Sequence, residues 1–299
     1  MKKARLSLLG FLFFGCLSFI VFLGCSSAPR QTGEVFTERD MALNHLNLAN
    51  QTANRGRYEE ALMILEEARR LAVSTDDPSL RIRSSVSRGN FLFFLGHTEE
   101  AFWEWENASV EGDVSGQSSL AALARIYAIR ARLMLLTAEP GAPSAGTISL
   151  VEDLKVQLNR EMPLVRADAI SSAAAFITLG LAERQLGRWV EAEREFRRAL
   201  DIHIRNNNLE DIAYSWFLIA SVRSLAGNHN ASLEALRTAI SFDRRVENGF
   251  GLASSWQAKS DVYRNSGRVE ESLAARRRAA EIFRAIGFIE RAENLEMEL

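Results

Sequence analysis

The chain has 299 residues, which suits one large domain or two smaller ones. Apolar residues make up 47% and charged residues 25%, with only 5 prolines, and this composition excludes a mostly disordered chain. A net charge of −2 gives no basic excess of the kind that nucleic-acid-binding proteins carry. Alanine, leucine, glutamate and arginine are abundant, so we expect a mainly helical fold.

The N-terminus has the order of a secretory signal peptide. Lys2, Lys3 and Arg5 precede a long run of leucine and phenylalanine, and the run ends at Gly24 and Cys25. A positive segment followed by an apolar segment and small residues is typical of exported proteins. The sequence therefore predicts that the folded part of the chain lies outside the cytoplasm.

The end of this segment, FLGC at 22–25, resembles the lipobox of bacterial lipoproteins. The resemblance implies cleavage before Cys25 and a diacylglycerol on its thiol, with acyl chains such as palmitate holding the protein to a membrane. Phe22 stands where leucine is usual, a looser form that is familiar in spirochaetes. Ser26 follows the cysteine instead of the aspartate that retains enteric lipoproteins at the inner membrane, so the outer membrane is expected.

The expected domain organisation is a signal peptide at 1–24, a lipidated and flexible tether at 25–38 and a helical repeat domain at 39–299. An uncleaved transmembrane anchor and plain secretion are the alternatives, because about 18 apolar residues could span a bilayer. Cys16 is a rival lipidation site. Cys16 and Cys25 are the only cysteines, so we expect no disulfide in the folded domain.

A short pattern recurs along the rest of the chain. QLGRWVEAEREFRRAL at 185–200 has counterparts with glycine at the same place. The glycines are spaced by about 40 residues, with one wider gap between Gly96 and Gly187. A small residue follows each glycine by five positions, and alanine follows by twelve. The aligned glycines are Gly56, Gly96, Gly187, Gly227 and Gly267.

This pattern resembles the tetratricopeptide repeat, a unit of two antiparallel helices with a usual period of about 34 residues. The longer period found here implies either longer helices or a longer connector. Small residues such as Ala192 and Ala199 are expected to let the first helix of a repeat approach the second at Gly180, with Phe196 filling space beside them. The resemblance implies an all-α, right-handed superhelix.

The wider gap is close to twice the period, so it predicts a hidden, degenerate repeat. A helical segment at 120–136 and a Pro/Gly-rich turn around Gly141 precede a second helical segment at 148–162, which we expect to end at Pro163. The altered turn is either a functional insertion or a worn repeat. The prediction is about six helix pairs, at 41–73, 79–113, 118–162, 166–206, 208–246 and 249–286, with a C-terminal capping helix.

The sequence offers little catalytic chemistry. None of the four histidines has a second ligand at helical spacing, and no phosphate-binding loop or serine elbow is present. Paired glutamates such as Glu59 and Glu60 recur at the start of second helices, where they favour the helix dipole. We therefore expect no catalytic residues, metal or cofactor. The exposed position expected for Trp103 makes it a minor candidate for a partner contact.

The resemblance implies that the first helices line a concave groove that binds a protein or peptide. Asn50 and Asn90 stand where asparagine helps to clamp a peptide carboxylate in some chaperone-binding members, although the lysine or arginine of that clamp is missing from these two repeats. The aromatic candidates either line the groove or pack between helices. The candidate groove residues are Leu46, Asn50, Asn90, Phe93, Phe94, Tyr214, Phe217, Ser221, Gln257, Asp261 and Arg264.

The expected function is a non-enzymatic, membrane-tethered scaffold that binds another cell-envelope protein or peptide and no nucleic acid. A specific version resembles the repeat lipoprotein that accompanies periplasmic transporters of the TRAP type, which would be a ligand-binding homo-oligomer. The alternative is a surface-exposed lipoprotein that acts in host interaction or adhesion. Whether the domain faces the periplasm or the cell surface is left open by the sequence.

Overall fold

A computed structural model describes residues 37–136 and 143–297, so Cys16, Cys25 and Gly141 lie outside the described residues. All regular elements in these ranges are α-helices, which confirms the predicted fold class. The division into signal peptide, tether and repeat domain stays a prediction. The thirteen helices of the described part are α1 Thr37–Asn54, α2 Tyr58–Ser74, α3 Pro78–Phe94, α4 Thr98–Val114, α5 Ser118–Leu135, α6 Ala145–Val165, α7 Ala169–Gln185, α8 Trp189–Arg205, α9 Leu209–Leu225, α10 His229–Arg245, α11 Gly249–Asn265, α12 Val269–Ala285 and α13 Ile289–Met297.

Most repeats are divided equally between two helices of the same length. Most helices have 17 residues and are joined by connectors of three residues, such as Leu186–Arg188, so the length beyond the usual period lies in the helices. The middle residue of most three-residue connectors has a positive φ, as at Gly187 (+73°) and Asn207 (+51°). Gly and, to a smaller degree, Asn tolerate this left-handed conformation, which reverses the chain at low cost.

The helix ends follow the expected chemistry. Glu59 and Glu60 lie in the first turn of α2, where their charges interact favourably with the helix dipole. Asp77 and Asp168 cap α3 and α7, and each accepts a hydrogen bond from a backbone N–H three residues later. These caps satisfy donors that the first helical turn leaves without a partner.

In two repeats, a glycine of the first helix faces a large aromatic ring of the second helix. An added Cβ at Gly180 would lie 2.5 Å from Cδ1 of Phe196, and one at Gly89 would lie 2.5 Å from Nε1 of Trp105. Phe196 and Trp105 are fully buried. The predicted contact of Gly180 was with Ala192 and Ala199, which are fully buried, but the atoms nearest to an added Cβ at Gly180 belong to Phe196.

The hidden third repeat is present as α5 and α6. The prediction that its second helix ends at Pro163 is wrong, because α6 runs from Ala145 to Val165 and includes the proline. Proline removes one backbone donor and is costly in a helix interior. In the last turn of α6 this loss affects little of the helix, and Val165 can still be buried.

The superhelix of residues 37–297 returns on itself. The turn between α1 and α2 lies against the start of α11 and the connector before α13, and we call this contact the closing seam. Its aromatic residues are Tyr58, Phe94, Phe250 and Phe288. The ring centroids of Tyr58 lie 5.4 Å from Phe94, 5.9 Å from Phe250 and 6.1 Å from Phe288.

Polar contacts and a close approach extend the closing seam. The amide of Asn54 donates to Glu210, and Arg55 lies 3.7 Å from Glu247 in an exposed ion pair. A Cβ on Gly56 would lie 3.1 Å from Cδ1 of Ile286. The seam thus joins the first repeat to the fifth and sixth repeats.

Within the described ranges, no helix combines the length and the apolar character that a membrane span requires.

Candidate partner-binding groove

The first helices of the repeats form the inner face of the superhelix. Neighbouring first helices such as α3 and α5 contact each other, whereas neighbouring second helices of the described part do not come as close. The side-chain amide of Gln185 on α7 donates to the backbone oxygens of Leu133 and Leu136, at 3.0 and 3.1 Å. These contacts fix the positions of α5 and α7 beside each other.

The two candidate clamp asparagines have different surroundings. The Oδ1 of Asn50 accepts the hydroxyl of Ser87 at 3.1 Å, which links α1 to α3. Asn90 is half-buried, and its amide makes no hydrogen bond to any described residue. Leu46 is buried in the core of the first repeat. Of the three, Asn90 is therefore the one whose side-chain amide is not engaged at either the oxygen or the nitrogen by a described residue.

Phe93 and Phe94 are engaged within the protein. The ring of Phe93 lies 6.0 Å from that of the buried Trp105, inside the second repeat. Phe94 stacks on Tyr58 and contacts Phe250 at 6.1 Å, so it belongs to the closing seam, although 41% of its surface remains exposed. Packing between helices, the alternative interpretation, accounts for both residues.

Three candidates lie together on α9. Tyr214 and Phe217 stack with centroids 6.4 Å apart, and both are half-buried. The Tyr214 hydroxyl makes no hydrogen bond to a described residue. Ser221 donates to the backbone oxygen of Leu218 at 2.7 Å and is locally satisfied. The surface of α9 therefore presents a stacked aromatic pair, and the phenol of Tyr214 is its polar group.

The last three candidates lie on α11. Gln257 is half-buried, and its amide has no hydrogen-bond partner among the described residues. Asp261 accepts from Arg264 at 2.8 Å, and both side chains are largely exposed. An exposed ion pair of this type contributes little to stability. Like Tyr214 and Asn90, Gln257 is thus half-buried and makes no side-chain hydrogen bond to a described residue.

Two arginines on first helices were not predicted as candidates from the sequence. Arg130 on α5 stands one repeat period after Asn90, in the same register. Arg184 on α7 lies three residues before its turn glycine, Gly187. The register of Arg130 was a usable signal, but the degenerate third repeat hid it because it has no turn glycine at the aligned position.

Acidic groups lie at the start of α9. Burial raises the pKa of Glu210, and the neighbouring charge of Asp211 raises it further. Burial also raises the pKa of Asp211, while His203 and Arg130 lower it. The Asp211 side chain is 42% exposed, so solvent reaches it although protein surrounds it. Nδ1 of the buried His203 lies 3.6 Å from Asp211.

Two other predictions concern chemistry and surface exposure. Trp103 is 60% exposed on α4, as expected. In the part of the chain that the structure describes, no group of three or more histidine, cysteine or acidic side chains is arranged to hold a metal ion. The absence of an enzymatic activity stays a prediction.

Comparisons with known proteins agree with this fold. Residues 171–245, which cover α7 to α10, match the family model described as tetratricopeptide repeat. No curated protein sequence matches the chain significantly.

Solved structures of similar fold include two with TM-scores above 0.5. A signal transduction ATPase of the STAND class with a tetratricopeptide repeat sensor, from Pyrococcus horikoshii, has a TM-score of 0.55 and 14% identity, over 89% of this chain and 43% of that one. A Rap protein complexed with competence and sporulation factor has a TM-score of 0.58 and 13% identity, over 89% of this chain and 75% of that one. The chain therefore spans less than half of the ATPase.

Proposed function

Because residues 37–297 fold as a superhelix of tetratricopeptide-like repeats, we propose that the protein is a non-enzymatic scaffold whose concave face binds a protein or peptide of the cell envelope. Proteins with this fold typically act through such interactions. The fold-level likeness to a Rap protein complexed with competence and sporulation factor is consistent with a binding role. Fold alone does not assign a function, so the side chains of the inner face must support the proposed binding.

One observation carries the proposal. Asn90, Tyr214 and Gln257 lie on three first helices and are half-buried, yet none of their side-chain polar groups bonds to a described residue. None of these polar atoms is fully buried, so they face solvent in the unbound protein. A bound backbone or side chain would take the place of that solvent, with Phe217 as an apolar wall.

The binding test is crosslinking in intact cells that express a tagged copy, followed by identification of the captured proteins. The groove variant is Phe217→Ser together with Gln257→Ala, and the control is Val190→Ser on the exposed surface of α8. We expect a specific envelope protein to be lost only with the groove variant. Equal capture by both variants would count against the concave face.

The second part of the proposal is the location. We propose that Cys25 carries a lipid that tethers the domain to a membrane, in the outer membrane and facing the periplasm. The support is the N-terminal sequence pattern. Cys25→Ser should move the protein from the membrane fraction to the soluble fraction. A variant that still pellets with membranes would favour an uncleaved anchor, and protease cleavage in intact cells would favour surface exposure.

A further inference from the structure

A shallow apolar depression lies beside the third repeat, away from the inner face of the superhelix. It has a volume of about 330 Å³ and is lined by Phe102 of α4, Arg132 and Leu135 of α5 and Leu150 of α6. The second helices α4 and α6 thus form two of its sides. Leu135 is 52% exposed and Leu150 is 45% exposed. Exposed apolar side chains that cluster in this way are typical of interaction surfaces.

The depression lies where the third repeat departs from the others. In the other repeats of the described part, the contact between the two helices of one repeat is the most extensive one. By contrast, α5 packs against α7 as extensively as against its own partner, α6. Val151, Leu154 and Leu158 bury one side of α6. Leu150, near the start of the same helix, stays uncovered.

One guanidinium lies at the edge of the depression. Cζ of Arg132 lies 5.6 Å from the ring centroid of Phe102. Arg132 is exposed and makes no hydrogen bond or ion pair with any described residue. Arg125, on the same helix, pairs with Asp113 at 3.0 Å and with Glu161 at 2.9 Å. The depression therefore combines an apolar floor with one cation that no described acid neutralises.

The lining of the depression decides which backbone conformation can be buried in it. Apart from the guanidinium of Arg132, the lining surface is almost entirely apolar. An extended segment pressed against apolar side chains would leave backbone N–H and C=O groups without partners, which is costly. A helix satisfies its own backbone groups and can present a continuous apolar face.

We propose that this depression binds an amphipathic helix of another protein, whose apolar face covers Phe102, Leu135 and Leu150 and whose acidic side chain pairs with Arg132. The altered third repeat is then functional and not worn. Guanidinium groups bind carboxylates through paired, charge-assisted hydrogen bonds, and a helix with lysine at the same place is repelled. This inference goes beyond the proposed function, because second helices form much of the site and the concave face does not.

The test uses the full chain in phosphatidylcholine nanodiscs, immobilised through a C-terminal tag, with empty nanodiscs as the blank. The probes are two pools of amphipathic peptides of about 15 residues, with randomised apolar residues on one helical face. The pools differ in one residue at the edge of that face, which is glutamate in one pool and lysine in the other. The net charge of −2 on the whole chain favours the lysine pool. We nevertheless expect the glutamate pool to be retained at least about threefold more, because the local cation decides.

Variants with matched controls separate the site from general binding. Arg132→Glu should reverse the preference, whereas Arg160→Glu, which makes the same charge change at an exposed position of α6, should leave it unaltered. Leu150→Asp should lower retention of the glutamate pool about tenfold. Val156→Asp, at a 52% exposed position of the same helix, should not. Circular dichroism melting of each variant shows that the fold is intact.

Several outcomes would overturn the site. Equal retention of both pools, a preference for the lysine pool, or no retention above the empty nanodiscs would each do so. A crosslinked dimer in intact cells that Leu150→Asp removes would also overturn it, because a second copy of this chain would then occupy the depression. The capture experiment on the concave face does not depend on Leu150, so the proposed function can stand when this site fails.

Discussion

At the scale of single residues, Gly180 sets the distance between two helices. The ring of Phe196 occupies the space that a Cβ would need. We expect Gly180→Ala to destabilise the protein by about 1–3 kcal/mol, because overpacking outweighs the usual gain from alanine in a helix. The free energy of unfolding in urea measures the change.

Gly146→Ala is the matched control for this substitution. Gly146 lies in the first turn of α6, and the closest described atom to an added Cβ is Oγ of Ser144, at 3.8 Å. The free energy of unfolding of the Gly146→Ala variant should stay the same or rise by about 0.5–1 kcal/mol. Equal effects at both glycines would show that the Phe196 contact does not set the helix spacing.

The buried carboxyl of Asp243 is expected to make the free energy of unfolding depend on pH. Burial raises its pKa to about 7, although Asn248 donates a hydrogen bond to it at 2.7 Å. The folded protein therefore keeps a proton that the unfolded chain releases near pH 4, so stability falls as the pH rises from about 4 to about 7. We expect Asp243→Asn to remove this fall, a gain of about 2–4 kcal/mol at pH 8.

Urea unfolding at about pH 5 and about pH 8 tests the prediction for Asp243. The control is Asp113→Asn, since Asp113 is exposed and pairs with Arg125 at 3.0 Å on the surface. Parallel pH dependences of the unaltered protein and Asp243→Asn would contradict the assignment of a protonated carboxyl to this position.

At the scale of helices, caps differ in what they contribute. Oδ2 of Asp168 accepts from the backbone N–H of Ser171 at 2.7 Å at the start of α7. Asn228 occupies the same place before α10, but its side chain makes no capping bond. Asp168→Ala should cost about 0.5–2 kcal/mol, and Asn228→Ala should cost much less. Thermal unfolding by circular dichroism compares them, and equal losses would mean that the hydrogen bond is not the cause.

The helices were the most predictable part of the structure. Regularly spaced glycines, with alanines at fixed distances after them, predicted five of the helix pairs, because a left-handed connector and a close helix contact each favour a small residue. The width of the gap between Gly96 and Gly187 predicted the third pair. Pro163 misled the prediction of one helix end, since a proline in a last turn breaks few hydrogen bonds. Such patterns are local and can be read along the chain.

The inner face was harder to predict. Phe94 and Phe217 look alike in the sequence, yet Phe94 packs in the closing seam and Phe217 stacks on Tyr214 within α9. The difference depends on how far the superhelix turns over many repeats, which no single repeat determines. Arg132, beside the third repeat, was missed for a related reason, because its missing acidic partner is visible only after neighbouring helices are placed.

At the scale of the whole molecule, the closing seam couples repeats that are distant in sequence. The ring of Phe250 lies 5.2 Å from Phe288, 5.9 Å from Tyr58 and 6.1 Å from Phe94. In a repeat protein, each unit normally depends only on its neighbours. Here the sixth repeat also supports the first.

Phe250→Ser should therefore speed amide hydrogen exchange in α1 and α2, far from the substitution in sequence. The expected cause is loss of the ring that covers Tyr58. Phe242→Ser is the control, because Phe242 is half-buried on α10 and its ring faces Arg245, 5.4 Å away. The Phe242→Ser substitution should speed amide hydrogen exchange only near α10. Unchanged exchange in residues 37–74 of Phe250→Ser would mean that the seam contributes nothing to stability.

The closing seam also bears on how this protein can change in evolution. Solenoids commonly gain or lose units by duplication or deletion of one repeat, because each new unit finds the same neighbours. In this chain, an extra repeat unit would carry Tyr58 one repeat past Phe250 and leave both aromatic surfaces uncovered. The number of repeats is thus tied to the circumference of one superhelical turn.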